Sequence, residues 1–293
     1  MFAELNELLN ASPERPEQGK LTLLRDTKTD GSFLVHHFLS FYLKAGCKVC
    51  FVALLQSFSH YNIIAQKLKL HKLNVCLWIP SLLGLLPRGF QQFSQGVSLT
   101  AAKERGQLVF LEGLKSCFDV FFGEEQHVGQ TNPLQFVSKD GSNLKTMYEF
   151  VRTSLMASGS DSWKCPVLLV DDLSVLLSLG VRPVDVLDFI HYCRVAVCSQ
   201  LKGNIVVLVH SNDDSEDEEN ELVVNSLCHQ SNLILWAEGL ATGFCKDVHG
   251  QLKIIQKGSS ELKAEKNLLR IYQYKIQDKN VTFFARGMSA AVL

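Results

Sequence analysis

Apolar positions along the chain follow two different periods. Short, nearly continuous apolar runs occupy residues 21–24, 47–55 (CKVCFVALL), 108–111, 167–170 (VLLV) and 205–209 (IVVLV). Runs of this length, rich in branched aliphatic residues, suit strands covered on both faces in a parallel sheet. Between them, helical spacing predicts helices over 33–44, 60–68, 144–155 and 184–198. Strands alternating with helices predict an α/β fold with a largely parallel central sheet. After residue 221 a helix pattern (ELVVNSLCHQ) gives way to alternating runs separated by the turns DVHG and QDKN. This end reads as antiparallel hairpins extending the sheet.

Two stretches break the rhythm. SNDDSEDEEN, residues 211–220, holds six acidic residues and no basic one, so mutual repulsion predicts a solvated acidic loop. Residues 69–95 (KLHKLNVCLWIPSLLGLLPRGFQQFSQ) carry an apolar centre too short to span a bilayer and interrupted by Pro80 and Gly84. The expectation is a poorly ordered insertion within a single domain covering 1–293.

Composition narrows the function classes. The 29 basic and 30 acidic residues nearly cancel, which argues against independent binding to nucleic acid or membrane. From residue 238 onward, however, nine Lys/Arg face five Asp/Glu. Within that excess, Lys246, Lys253, Lys257, Arg270 and Lys275 are candidates for an RNA-facing surface, with a merely solvated face as the plainer reading. The N-terminus has no basic-then-apolar leader, and nine scattered cysteines suit reduced thiols, so a cytoplasmic or nuclear location is expected.

Candidate chemistry centres on residues 21–43 (LTLLRDTKTDGSFLVHHFLSFYL), which have the outline of a strand, phosphate loop and helix. A working loop needs glycines whose backbone amides cradle phosphate, a lysine for the terminal phosphates and a hydroxyl for magnesium. With Gly31 as the second glycine, Asp26 replaces the first, Ser32 the lysine and Phe33 the hydroxyl. Only Lys28 could serve as a displaced lysine. In PVLLVDD, Asp171 and Asp172 follow an apolar strand as a magnesium-holding acid would, although helix capping explains them equally well. Where a base would be expected, after the second strand, stand Gln56 and Ser57, and an amide cannot take a proton from water. Cys47 and Cys50 have metal-ligand spacing, but in a strand they point to opposite faces. His36 and His37 diverge on a helix, so one is expected to pack and the other to meet solvent.

Taken in order, RDTKTDGSF, CKVCFVALLQSFSHY, PVLLVDDLSVLLSLG, DFIHYCR, GNIVVLVH, EGLATGFCKDVHGQL and YQYKIQDKNVTFFARGMSAAVL resemble the sixth-subunit family of the Elongator complex in its vertebrate form. The resemblance implies a RecA-like fold with a degenerate phosphate loop, no catalytic residues and no cofactor. It also implies a heterohexameric ring with the fourth and fifth Elongator subunits, contacts to the remaining Elongator subunits, and no membrane partner. The assembled ring would bind tRNA and support modification of the wobble uridine at C5. In the family pattern QKL runs almost directly into GVSLT, whereas here 27 residues, 69–95, intervene. An unusual NTPase completed at a shared inter-subunit site and a bare protein-interaction adaptor are the alternatives. Limited proteolysis is expected to cut first within 69–95, and full protection of that segment would count against the insertion reading.

Overall fold

The computed structural model describes residues 2–76, 97–122, 132–138, 144–156, 163–211, 217–243, 245–258, 268–277 and 280–285. Residues 77–95 of the expected insertion and 212–216 of the acidic stretch lie outside the described residues.

The branched aliphatic runs become β1 Leu21–Thr27, β2 Lys48–Ala53, β3 Leu108–Glu112, β4 Pro166–Val170 and β5 Asn204–His210. The C-terminal alternating runs form β6 Leu233–Gly239, β7 Gly250–Gln256, β8 Leu268–Gln277 and β9 Asn280–Ala285. All nine lie in one sheet, ordered β3-β2-β4-β5-β1-β6-β7-β8-β9. The pairs from β3 to β6 are parallel. From β6 to β9 they are antiparallel, as the hairpin turns imply.

The helices are α1 Ala3–Leu9, α2 Ser32–Lys44, α3 Phe58–Cys76, α4 Leu99–Glu104, α5 Gly113–Phe122, α6 Lys145–Met156, α7 Ser174–Ser178, α8 Pro183–Cys193 and α9 Glu218–Gln230. The predicted helix over 184–198 divides: α8 runs into a π-helical stretch, Arg194–Gln200. Alternation along each strand feeds two cores. Leu24, Phe51, Leu169 and Leu208 meet α2 on one face. Leu23, Val52, Leu168 and Val207 meet α6, α8 and α9 on the other. Each fully buried aliphatic or aromatic side chain contributes about 1.5–3 kcal/mol.

Helix α2 is apolar nearly all round because it is covered on its outer side as well. Phe2, just before α1, stacks on His37 with ring centroids 5.9 Å apart and touches Phe33. The Phe2 N–H donates to Nδ1 of His37, and Glu4 of α1 accepts from the Phe283 N–H of β9. The divergent-histidine expectation therefore fails: His36 and His37 are both buried, His37 completely. The N-terminal clasp fills the side of α2 that would otherwise face water.

Glu218–Asn220, expected in a solvated loop, form the first turn of α9 instead, where Asp217 Oδ1 accepts from the Asn220 N–H. Carboxylates are stabilising beside the unpaired amides of a helix start, which outweighs their mutual repulsion.

The parallel strands end along one edge, so the segments after β1, β2, β4 and β5 converge there. Lys28 sits at φ 55° immediately after β1, and its carbonyl is packed against Gly239 at the end of β6. A Cβ on Gly239 would come within 2.3 Å of that carbonyl oxygen. Gly239→Ala is expected to cost about 1–3 kcal/mol, read as a lower urea midpoint at unchanged slope, and an unchanged midpoint would contradict the packing.

Candidate functional site

At the C-terminal edge of the sheet, the first expected loop residue belongs to the strand. Asp26 lies within β1, in register with His210 of β5 and Ala237 of β6, and is 4% exposed. A buried carboxylate needs compensation, and Asp26 has it twice over. Its Oδ2 accepts from the Gly31 N–H at 2.8 Å, and its Oδ1 lies 2.7 Å from His210 Nδ1. One residue after Gly31, the Ser32 N–H donates to Asp30 Oδ1 at 2.8 Å. These amides, at the start of α2, are the donors a phosphate loop would offer to an anion. Here two carboxylates of the chain itself occupy them.

The loop is packed tightly against the strand as well. A Cβ on Gly31 would lie 2.8 Å from the Asp26 Cβ, so glycine is required because Asp26 folds beneath the loop. Phe33, where a magnesium hydroxyl would stand, is buried against Phe2 and Tyr274. Ser32 is half-buried, and Lys28 is exposed. Thr29 shares a hydrogen bond with Tyr274 at 2.9 Å, tying the loop to β8. On the other face, Arg25 donates to Ser211 Oγ, and Trp236 donates to Thr27 Oγ1, so the end of β1 is fixed from both sides.

Asp171 and Asp172 follow β4 but diverge. Asp171 is 1% exposed. It accepts from the Leu54 N–H at 2.6 Å, the Leu55 N–H at 3.2 Å, the Gln56 N–H at 3.4 Å and the Tyr61 hydroxyl at 3.0 Å. It therefore ties the segment after β2 to α3. Asp172 accepts from the Ser174 N–H at 2.8 Å, one position ahead of Leu173, the N-cap residue of α7. Gln56 contributes its backbone to Asp171, and Ser57 Oγ accepts from the His60 N–H at the start of α3. The Ser174 hydroxyl bonds His210 and lies 3.4 Å from Asn220 Oδ1, joining this edge to α9.

Burial sets the electrostatics. It pushes the carboxyls of Asp26 and Asp172 above the ordinary carboxylate range, and Asp171 up to about 6. It also holds His36 down at about 4, so that ring is neutral, with His60 as the next cause. Both oxygens of Asp26 and of Asp171 are committed to partners within the chain. Among the described residues, no group of three or more His, Cys, Asp or Glu is arranged to hold a metal ion.

Of the candidate basic residues, strand register puts Lys253, Lys257 and Lys275 on one face of the sheet and Arg270 on the other. Lys253 pairs with Glu238 at 2.8 Å and lies over the Trp236 ring, which Arg25 also approaches. Lys275 pairs with Asp247 at 2.8 Å. Lys257 donates to the Cys228 and His229 carbonyls near the end of α9. Strand alternation puts Arg270 on the face of Tyr272 and Tyr274, opposite Lys275, while Lys246 is exposed before β7. Sequence reading missed Tyr61, Ser174 and Asn220 as members of this edge, and the reach of the His210 ring to Asp26. Asp30 carries a local signal, an Asp placed to bond the amide two residues on.

A mostly parallel α/β protein with an internally satisfied strand–loop–helix edge is the class that fold and site define. The family model described as Elongation complex protein 6 matches residues 2–76 and 90–278, leaving 77–89 between its two matched stretches. The chain is 60% identical to Elongator complex protein 6 of Homo sapiens over 296 residues and 45% identical to that of Danio rerio over 297, with 100% of each chain covered in both cases. A more distant relative, Elongator complex protein 6 of Dictyostelium discoideum, is 23% identical over 92% of this chain and 91% of its own. The chain belongs to the Elongation complex protein 6 family.

The pKa of Asp171 yields a pH prediction. Its folded value, about 6, exceeds the ordinary 3.8, so folding favours the protonated form. That stabilisation is complete below about 3.8 and is lost as pH rises through about 6. As pH falls from about 7.5 to about 4.5, the unmutated chain should gain about 2 kcal/mol over Asp171→Asn in urea unfolding. Parallel stability profiles for the two proteins would refute the assignment.

Proposed function

We propose that this chain serves as the sixth subunit of the Elongator complex and works there as a non-catalytic, RecA-like ring component. One observation carries the proposal: the Gly31 and Ser32 amides, the donors a nucleotide phosphate would use, are held by Asp26 and Asp30. The degenerate phosphate loop is thus read as a structural corner that keeps β1 and α2 in place. The strand order, with β1 deep in a parallel sheet and Asp171 following β4, is consistent with the RecA-like assignment.

In this proposal the fourth and fifth Elongator subunits complete a heterohexameric ring that meets the remaining subunits, in the cytoplasm and also the nucleus. The chain contributes shape rather than chemistry. tRNA binding, in support of wobble-uridine modification at C5, belongs to the assembled ring, because Lys253 and Lys275 are each paired within the chain. Phosphate contacts shared among subunits would position RNA without reading its sequence. Neither a cofactor nor a membrane enters the proposal, and among the described residues no helix is long and apolar enough to cross a bilayer.

Co-expression with the fourth and fifth subunits, followed by native mass spectrometry, tests the assembly. The expected result is a ring with two copies of each chain, and failure to join those subunits would overturn it. ATP hydrolysis by the purified chain, lost on Asp171→Ala, would instead establish the NTPase alternative.

A further inference from the structure

At the opposite edge of the sheet, where β2 and β4 begin, two cysteines face each other across adjacent parallel strands. Cys47 Sγ and Cys165 Sγ lie 3.1 Å apart, although 118 residues separate them in the chain. The ladder holds both backbones. The Lys164 N–H donates to the Gly46 carbonyl at 3.0 Å, and the Lys48 N–H donates to the Cys165 carbonyl at 3.0 Å. Lys48 then pairs with Pro166 at the start of the parallel register. Neighbouring strands lie about 5 Å apart, inside the Cα separation that a disulfide bridges.

We propose that Cys47 and Cys165 are a thiol-modification site that closes to a cross-strand disulfide on reaction with a small-molecule disulfide. The site is distinct from the acidic edge at the other end of the strands and is independent of the ring assignment.

The two sulfurs are not equivalent. The hydrogen bond the two thiols share raises Cys47 above and draws Cys165 below the ordinary thiol range. Lys164 beside Cys165 acts in the same direction on Cys165. Cys165 is also the more accessible, at 4% exposure against 0% for Cys47. Cys165 is therefore the attacking thiolate. It displaces one thiolate from the reagent and forms a mixed disulfide. Cys47 then loses its proton and attacks the Cys165 sulfur, expelling the second thiolate. The protein loses two hydrogens and two electrons, and the reagent becomes two thiols. Because both cysteines are buried, reaction waits on local opening of the strand starts, so closure should be slow but site-selective.

Incubating the reduced full-length chain with oxidised glutathione, digesting it without reductant and mapping peptides by mass spectrometry tests the site. The expected product is a Cys47–Cys165 linked peptide pair lighter by two hydrogens, with a thermal midpoint raised by several degrees and restored by dithiothreitol. Cys165→Ala should abolish the midpoint shift, whereas Cys117→Ala on α5 should retain it. Quantitative alkylation of both thiols in the unmutated chain after treatment would overturn the proposal. Glutathione retained on Cys165 without closure would also overturn it. Both outcomes are read on the unmutated chain, so a variant that folds poorly does not blunt the test.

Discussion

The hydrogen bond from the Gly31 amide to the buried Asp26 carboxylate organises the edge of the sheet where ligands of parallel α/β proteins bind. A carboxylate inside a strand is costly unless donors surround it. The Gly31 amide supplies one, the His210 ring shares a second hydrogen bond, and the requirement for both fixes three things at once. The turn after β1 must bend back over the strand. Residue 31 must lack a side chain. The end of β5 must lie level with β1, which places Ser211 where Arg25 can reach it. Removing a partner from such a bond leaves an unsatisfied buried charge, so the corner is conditional on every member being present.

Asp171 does for β2 and α3 what Asp26 does for β1 and α2. Each carboxylate ends a strand region and gathers backbone amides from the following or neighbouring loop. Two elements that would present open donors to a ligand are therefore closed from inside by the same chemistry. Both carboxylates are enclosed by the fold, and the loops after β1 and β2 are held in defined positions.

Much of the frame was legible from pattern alone. The near-continuous runs at 167–170 and 205–209 suited strands buried on both faces, and both lie inside the parallel part of the sheet. The strand, turn and helix over residues 21–43 were legible as well, and they form β1, the turn through Gly31 and α2. What pattern could not reveal were partners distant in sequence. His210 reaches Asp26 across 184 positions, and Tyr61 reaches Asp171 across 110. His36 and His37 misled because helical divergence assumes an open outer face, and that face is covered by Phe2 and its neighbours. For the basic residues, sequence proximity does not tell the two faces apart: strand alternation sets Arg270 opposite Lys253, Lys257 and Lys275, and Lys253 and Lys275 are paired with acids of the chain.

The clasp between α1 and β9 carries a consequence for the order of events during synthesis. Glu4 and the Phe283 amide it accepts from stand 279 positions apart in the chain. Contacts of such long sequence separation form late, because the intervening loop must close before the contact repays it. During synthesis the helix that carries Glu4 therefore waits for β9, and the edge it will dock against does not exist until most of the sheet has been made.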